Sequence, residues 1–188
     1  MDPSEITLIG QELQNSYSSG HDDIQVNIIK SSISYISEPL SHLINCTFQN
    51  GIFPESLKIA RICPVFKNGD QHVCANYRPI SLLPSLSKMF EEIMYKRLVS
   101  FLENYNILTN SQYGFRKNHS TYMTILEFYD KISKSVDCNE FAISVFIDLA
   151  KAFDTLDHNI LCDKLYYYGI HGTALNLFKN YLTAGNSM

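Results

Sequence analysis

Phe146-Ile147-Asp148-Leu149-Ala150-Lys151-Ala152-Phe153-Asp154 is the stretch on which the reading of this chain turns. It closes an alternating run. Phe141, Ile143, Val145 and Ile147 share one face of an extended segment, and Ala142, Ser144, Phe146 and Asp148 share the other. The period predicts a strand over residues 141–148 whose bulky face packs on helices. The opposite face is smaller and ends in a carboxylate, so Asp148 points where there is room. Small residues then turn the chain toward Phe153 and Asp154. The residues alone leave two roles open for Asp148. It caps the following turn, or it offers oxygen to a hard divalent cation at the edge of a cleft.

Upstream, residues 5–18 read as a short helix fading into Ser-Tyr-Ser-Ser-Gly. Asp22-Asp23 opens a second periodic run through Ile24, Ile28, Ile29, Ile33 and Ile36. Pro39 opens a third, with Leu40, Leu43, Ile44 and Phe48 on one face, closed by Asn50-Gly51. Residues 59–66 form a strand that Pro64 marks as an edge. Residues 67–70 turn, and 78–83 are extended up to Pro84. The clearest helix covers about 85–105, with Leu86, Phe90, Ile93, Met94, Arg97, Phe101 and Tyr105 on one stripe. On its other side Glu92 and Lys96 stand in the favoured i, i+4 order. Another helix spans 121–133 with Ile125, Phe128, Tyr129 and Ile132 inward. Asp157 caps a helix carrying Ile160, Leu161, Lys164, Leu165 and Tyr168, ended by Gly169. A last helix covers about 173–182. Helices and strands mix without a regular strand–helix–strand beat, which gives an α+β class.

The chain has 188 residues, enough for one domain with a real core or two small ones. No apolar run is long enough to cross a membrane, and the first residues lack the basic and apolar blocks of a secretory signal. Five scattered cysteines without a CxxC pair read as reduced intracellular thiols. The net charge of −4 hides an asymmetry. Residues 58–117 hold nine basic side chains against four acids, so the middle carries +5 and the rest −9. A basic middle is compatible with a phosphate-facing surface, but from charge alone clustering on a solvated face is the favoured reading. His158 and Cys162 stand four apart without further ligands in view, and read as a surface histidine and a buried cysteine. Lys67-Asn68-Gly69-Asp70 lacks the Gly-Lys-Ser/Thr ending of a phosphate-binding loop.

The run from Phe146 through His158 resembles the first catalytic motif of non-LTR (LINE-type) retrotransposon reverse transcriptases. Asn76-Tyr77-Arg78-Pro79-Ile80-Ser81-Leu82-Leu83 resembles their fingers motif. Gln112-Tyr113-Gly114-Phe115-Arg116, followed by Ser120-Thr121, resembles the template-side motif between them. Gly51-Ile52-Phe53-Pro54 and Lys58-Ile59-Ala60 are similar to the lead-in. The motifs stand in the family's order and spacing, closest to the jockey-like and CR1-like branches. The resemblance implies a partial right-hand polymerase, helix-rich with a small antiparallel sheet. It divides the chain into a helical extension of the fingers (1–57), the fingers (58–140) and a truncated first part of the palm (141–188). It also implies an intracellular protein that works in the nucleus on an RNA template, a DNA primer and deoxynucleoside triphosphates, with Mg2+ as cofactor.

The same resemblance implies the residue roles. Asp148 is the catalytic, metal-binding carboxylate, with the Leu149 carbonyl as a second ligand. Lys67 and Arg78 reach the triphosphate. Phe153 is the bulky gate beneath the sugar, excluding a 2′-hydroxyl. Gln112 and Arg116 lie along the template. Asp154 holds the turn. Two departures matter. The downstream Tyr-x-Asp-Asp hairpin is missing, so this chain alone is expected to polymerise little or nothing. Ser19-Gly20-His21-Asp22-Asp23 replaces Pro-Gly-x-Asp-Gly, so the local turn loses a glycine. The alternative from a different class is a non-catalytic remnant that binds nucleic acid or a partner through its basic middle. A translated fragment without a stable fold is a third.

Overall fold

A computed structural model describes residues 1–149, 152–153 and 155–183. The expected role of Asp154 therefore lies outside the described residues. The elements in order are α1 (Pro3–Glu12), α2 (Val26–Asn50), β1 (Arg61–Phe66), β2 (Tyr77–Leu82), α3 (Ser85–Asn104), α4 (Thr121–Asp137), α5 (His158–Tyr167) and α6 (Gly172–Thr183). The result is a helix-rich α+β fold with one two-stranded antiparallel sheet among the described residues. The chain forms two compact units. One joins Met1–Leu98 to the segment from Asp157 onward, and the other is Val99–Leu156.

The first unit holds the core. Ile6 and Ile9 of α1, Ile29, Ile33, Leu40 and Ile44 of α2, and Met89, Phe90, Ile93 and Met94 of α3 are buried together. Phe53 is fully buried at the centre, its ring 5.6 Å from Phe90 and 4.9 Å from Tyr181. The break expected at Pro39 does not occur, and α2 runs unbroken for 25 residues. Proline removes one N–H and leaves the carbonyl of Tyr35 without its helical donor. Both Pro39 and Tyr35 face solvent, so water can satisfy that carbonyl. The buried stripe on the opposite side, Ile33, Ser37, Leu40 and Ile44, continues through the proline and holds the helix together. Gly51 closes α2 in the left-handed region at φ +66, its N–H donating to the Thr47 carbonyl at 2.9 Å.

Three other expectations shift. α1 stops at Glu12 instead of reaching residue 18, and Lys30 Nζ captures the next carbonyl, Leu13 O, at 2.9 Å. α5 turns Cys162 and Leu165 inward and leaves Ile160 exposed. Arg97 lies on the surface of α3, paired with Glu5 at 2.6 Å. Asp157 does cap α5, its Oδ1 accepting from the N–H groups of Asn159 at 2.8 Å and Ile160 at 3.3 Å. Cys162 is buried and His158 exposed, as the spacing suggested.

The departure at residues 19–23 has a structural consequence. Asp23 adopts φ +54 where the related pattern has glycine. Its carboxylate meets Arg61 Nη1 at 3.1 Å, which anchors the turn to β1. The retained glycine is needed for space. A Cβ on Gly20 would lie 2.6 Å from the Pro84 nitrogen and 2.8 Å from the Leu83 carbonyl carbon, both rigid backbone. Gly20→Ala is therefore expected to destabilise the first unit by about 1–3 kcal/mol, the usual cost of overpacking. The drop in urea midpoint at unchanged slope measures it, and an unchanged midpoint refutes the close approach.

Glu91 of α3 carries a pH dependence. Burial pushes its carboxyl above the ordinary range, opposed by hydrogen bonds from Tyr181 and Ser87. The Tyr181 hydroxyl donates to Glu91 Oε1 at 2.7 Å, and burial with this partner raises the tyrosine well above its usual value. A raised carboxylate favours the fold while protonated. The associated stability is present below the unfolded value of about 4.3 and lost as pH climbs through the raised folded value. Glu91→Gln keeps an acceptor for Tyr181 and removes the charge. It is expected to unfold at an equal or higher temperature than wild type at pH 7, with the difference disappearing below pH about 4. Equal pH profiles for the two proteins would refute this.

In the second unit the expectations from periodicity fail in two places. Ile125, Phe128 and Tyr129 of α4 are exposed and Ile132 half-buried, so the face read as inward is uncovered among the described residues. Residues 141–149 form no strand and make no backbone hydrogen bond among the described residues. Phe141 is 99% exposed, and the other apolar members of the run are exposed with it. Alternation fixes which side chains share a face, but a strand exists only when a neighbour accepts and donates along its edge. The bulky face of this run makes no ring contact among the described residues. Phe146, from the opposite face, meets Phe128 of α4 at 5.6 Å.

Candidate active site

The β1–β2 hairpin positions the two expected triphosphate ligands. Its register pairs Val65 with Arg78 and Phe66 with Tyr77, and Lys67 N–H extends the ladder by donating to Asn76 O at 2.8 Å. Residues directly opposite each other share a face, and so do residues two apart along a strand. Lys67 is therefore a diagonal neighbour of Arg78 on one face of the ribbon. Pro64 opposes Pro79, so neither proline costs its partner a ladder bond.

The loop between the strands is held by its own side chains. Asp70 Oδ1 accepts from His72 N–H at 2.9 Å, Asn76 Nδ2 donates to Asp70 O at 2.8 Å, and the Tyr77 hydroxyl donates to Gln71 O at 2.9 Å. Gly69 sits at φ +92, and a Cβ there would lie 2.8 Å from the Asn76 side-chain nitrogen. Lys67 and Arg78 thus project from a braced hairpin. Both are exposed, and among the described residues neither side chain has a hydrogen bond or ion pair.

That freedom separates them from most of the basic middle. Lys58 is buried, and its ammonium donates to Glu55 Oε1 at 2.6 Å and to Asn180 O at 2.8 Å and Oδ1 at 3.0 Å, on the last turn of α6. Arg61 pairs with Asp23, Lys96 with Glu12 and Glu92, and Arg97 with Glu5. Four of the nine cations counted in the sequence serve the fold. Charge counting cannot separate them from the hairpin pair, because each has at least one partner distant in sequence: Asn180 for Lys58, Asp23 for Arg61, Glu12 for Lys96 and Glu5 for Arg97.

The second unit contains the other candidates. Asp148 is exposed, with no polar partner among the described residues, and Leu149 is exposed beside it. Their carboxylate and carbonyl oxygens are the donor type a hard cation takes. No cluster of three or more His, Cys, Asp or Glu side chains that could hold a metal occurs among the described residues. Gln112 Nε2 donates to Gly114 O at 3.3 Å, and Arg116 Nη1 donates to Thr109 O at 2.8 Å. Arg116 Nε is buried without a partner among the described residues. Arg116 also lines a cavity of about 630 Å³ with Asn106, Thr109 and Asn110.

Sequence reasoning missed the brace of this loop. The Tyr113 hydroxyl donates to Glu127 of α4, and Glu127 also pairs with Lys131 at 2.8 Å. It also missed Phe115, which stands at φ +60 with its ring 6.0 Å from that of Phe153. Holding a non-glycine residue in the left-handed region costs about 1–2 kcal/mol. The signal is weak in sequence because Gly114, the residue suited to that conformation, sits one place earlier.

The model of the family described as reverse transcriptase (RNA-dependent DNA polymerase) matches residues 65–187. The chain belongs to the reverse transcriptase family. Several proteins of mobile elements are similar to it. It is 32% identical over 162 residues to the probable RNA-directed DNA polymerase from transposon X-element of Drosophila melanogaster, covering 84% of this chain and 17% of that protein. It is 35% identical over 138 residues to the probable RNA-directed DNA polymerase from transposon BS of the same species, covering 70% and 15%. It is 31% identical over 120 residues to the RNA-directed DNA polymerase from mobile element jockey, covering 63% and 13%. The chain is thus a segment of a non-LTR retrotransposon reverse transcriptase, spanning about one sixth of the length of these relatives. No helix among the described residues is long and apolar enough to cross a membrane.

Proposed function

We infer that the chain supplies the fingers and the first part of the palm to a polymerase that copies RNA into DNA at a chromosomal primer. Residues 1–57 extend the fingers, 58–140 form them and 141–188 begin the palm. The family match from residue 65 onward supports the polymerase reading on which this division rests. In the complete enzyme the incoming group is a deoxynucleoside triphosphate, and catalysis of phosphoryl transfer is mainly positioning and charge neutralisation.

The observation that carries the reading is the pair of free cations on the braced hairpin. Lys67 offers a compact charge and Arg78 a planar fork of donors, the two forms of phosphate contact proteins use. Their shared face and their lack of partners among the described residues leave both for a polyanion. Asp148 and the Leu149 carbonyl would hold one side of a magnesium ion, which when bound neutralises charge on the triphosphate. Phe153 is the wall beneath the sugar, and Gln112 and Arg116 lie along the template. The Arg116 fork is half engaged by Thr109, so it contacts a phosphate with the donors that remain.

The test is the double substitution Lys67→Ala with Arg78→Ala in the complete polymerase. The Michaelis constant for nucleotide is expected to rise by about 10–100-fold, because two charge-assisted hydrogen bonds to phosphate disappear, while the unfolding temperature is unchanged. An unchanged constant overturns the assignment. Steeply salt-dependent binding of an RNA–DNA hybrid without extension by any form of the protein would favour the non-catalytic reading.

A further inference from the structure

Five non-glycine residues among those described have positive φ: Asp23, Asn106, Phe115, Asn118 and Asn139. Four are Asp or Asn, whose short polar side chains tolerate the left-handed region. Phe115 is the exception, and a bulky residue there is a genuine outlier. Gly114 keeps φ out of that region, and a Cβ placed on it would meet nothing within 4 Å. The turn therefore spends its strain on the aromatic while a glycine stands next to it.

Burial does not explain the choice, because the Phe115 ring is 84% exposed. Its described ring neighbour is Phe153, itself 78% exposed, at 6.0 Å and 87° between planes, an edge-to-face pair. The turn is fixed on both sides. Tyr113 is tied to Glu127 of α4, and Arg116 donates to the Thr109 carbonyl at 2.8 Å. Strain persists only where the surroundings over-determine it, and it gathers at functional positions. Here what it secures is the direction of one ring toward another.

We propose that Phe115 is a positioning residue for Phe153, holding that ring as a fixed wall and so sharpening the choice of deoxynucleotides over ribonucleotides. The proposal rests on the reading of Phe153 as the wall beneath the sugar. A lone exposed aromatic swings about its side-chain torsions and yields to an extra hydroxyl. An edge-to-face partner limits that swing, and steric exclusion needs a wall that stays in place.

Two measurements test it. In the 188-residue chain, with phenylalanine rings labelled for NMR, Phe115 and Phe153 are expected to show a ring–ring Overhauser contact that Phe153→Leu abolishes. Absence of that contact in the wild type overturns the proposal. In the complete polymerase, Phe115→Asn removes the ring and suits the backbone, so the fold should hold or gain stability. The deoxy-over-ribo preference in kcat/KM is expected to fall about tenfold, with deoxynucleotide kcat/KM nearly unchanged, and Phe115→Tyr should restore it. If Phe153→Ala abolishes the preference and Phe115→Asn leaves it intact, the wall stands and the proposal falls. If Phe153→Ala leaves the preference intact, the reading of the wall fails and takes the proposal with it.

Discussion

Phe53→Ala lowers the stability of the first unit by about 3–5 kcal/mol, the range for emptying a fully buried aromatic site. Phe53 is the largest fully buried side chain among the described residues. Its ring meets Phe90 edge-on at 5.6 Å and lies 4.9 Å from Tyr181, so it joins α3 to α6. Its backbone N–H donates to Asn180 Oδ1 at 2.8 Å, and the same oxygen accepts from Lys58. A shift of residue 53 therefore disturbs Asn180, on which a buried ammonium depends for acceptors. Domains of this size hold only about 5–15 kcal/mol in total, so the variant sits near the edge of folding. Denaturant unfolding followed by tyrosine fluorescence measures the loss. A shift below about 1 kcal/mol would mean that Phe53 is not the keystone its burial indicates.

The legible and illegible parts of this chain divide along a physical line. Features set by local chemistry were readable. Asp157 caps α5, Gly51 ends α2, and the extended segments expected over 59–66 and 78–83 appear as β1 and β2, although their pairing was not foreseen. The family resemblance was readable too, since the family match spans residues 65–187. Features set by distant partners were not. The continuity of α2 through Pro39 depends on which of its faces α1 and α3 cover, and that face becomes visible only after folding. Lys58 looks like a solvated cation until Asn180 and Glu55 surround it. The alternation over residues 141–148 described which side chains share a side, yet pairing needs a neighbour that periodicity cannot supply. Phe115 escaped because a strained turn with an available glycine beside it follows no pattern of residue types.

The exposed state of 141–149 leads to the second large effect, at Asp148. Asp148→Asn in the complete polymerase is expected to cut primer extension by at least about 10³-fold, because an amide oxygen carries no charge to oppose that of a metal. The same change should leave folding almost untouched, within about 0.5 kcal/mol, since Asp148 is exposed and makes no polar contact among the described residues. The contrast between lost activity and retained stability separates a metal ligand from a carboxylate that caps the following turn, whose loss would cost stability first. The 188-residue chain by itself is expected to extend a primer little or not at all. One carboxylate and one carbonyl cannot complete a six-oxygen shell, and no metal-holding cluster accompanies them among the described residues. Primer extension on an RNA template, run with wild-type and Asp148→Asn chains, decides the matter. Robust synthesis by the isolated wild-type chain that disappears in the variant would mean that the missing ligands come from elsewhere, such as waters, nucleotide phosphate or a second molecule of the chain. Equal extension by both forms of the complete polymerase would remove Asp148 from the active site.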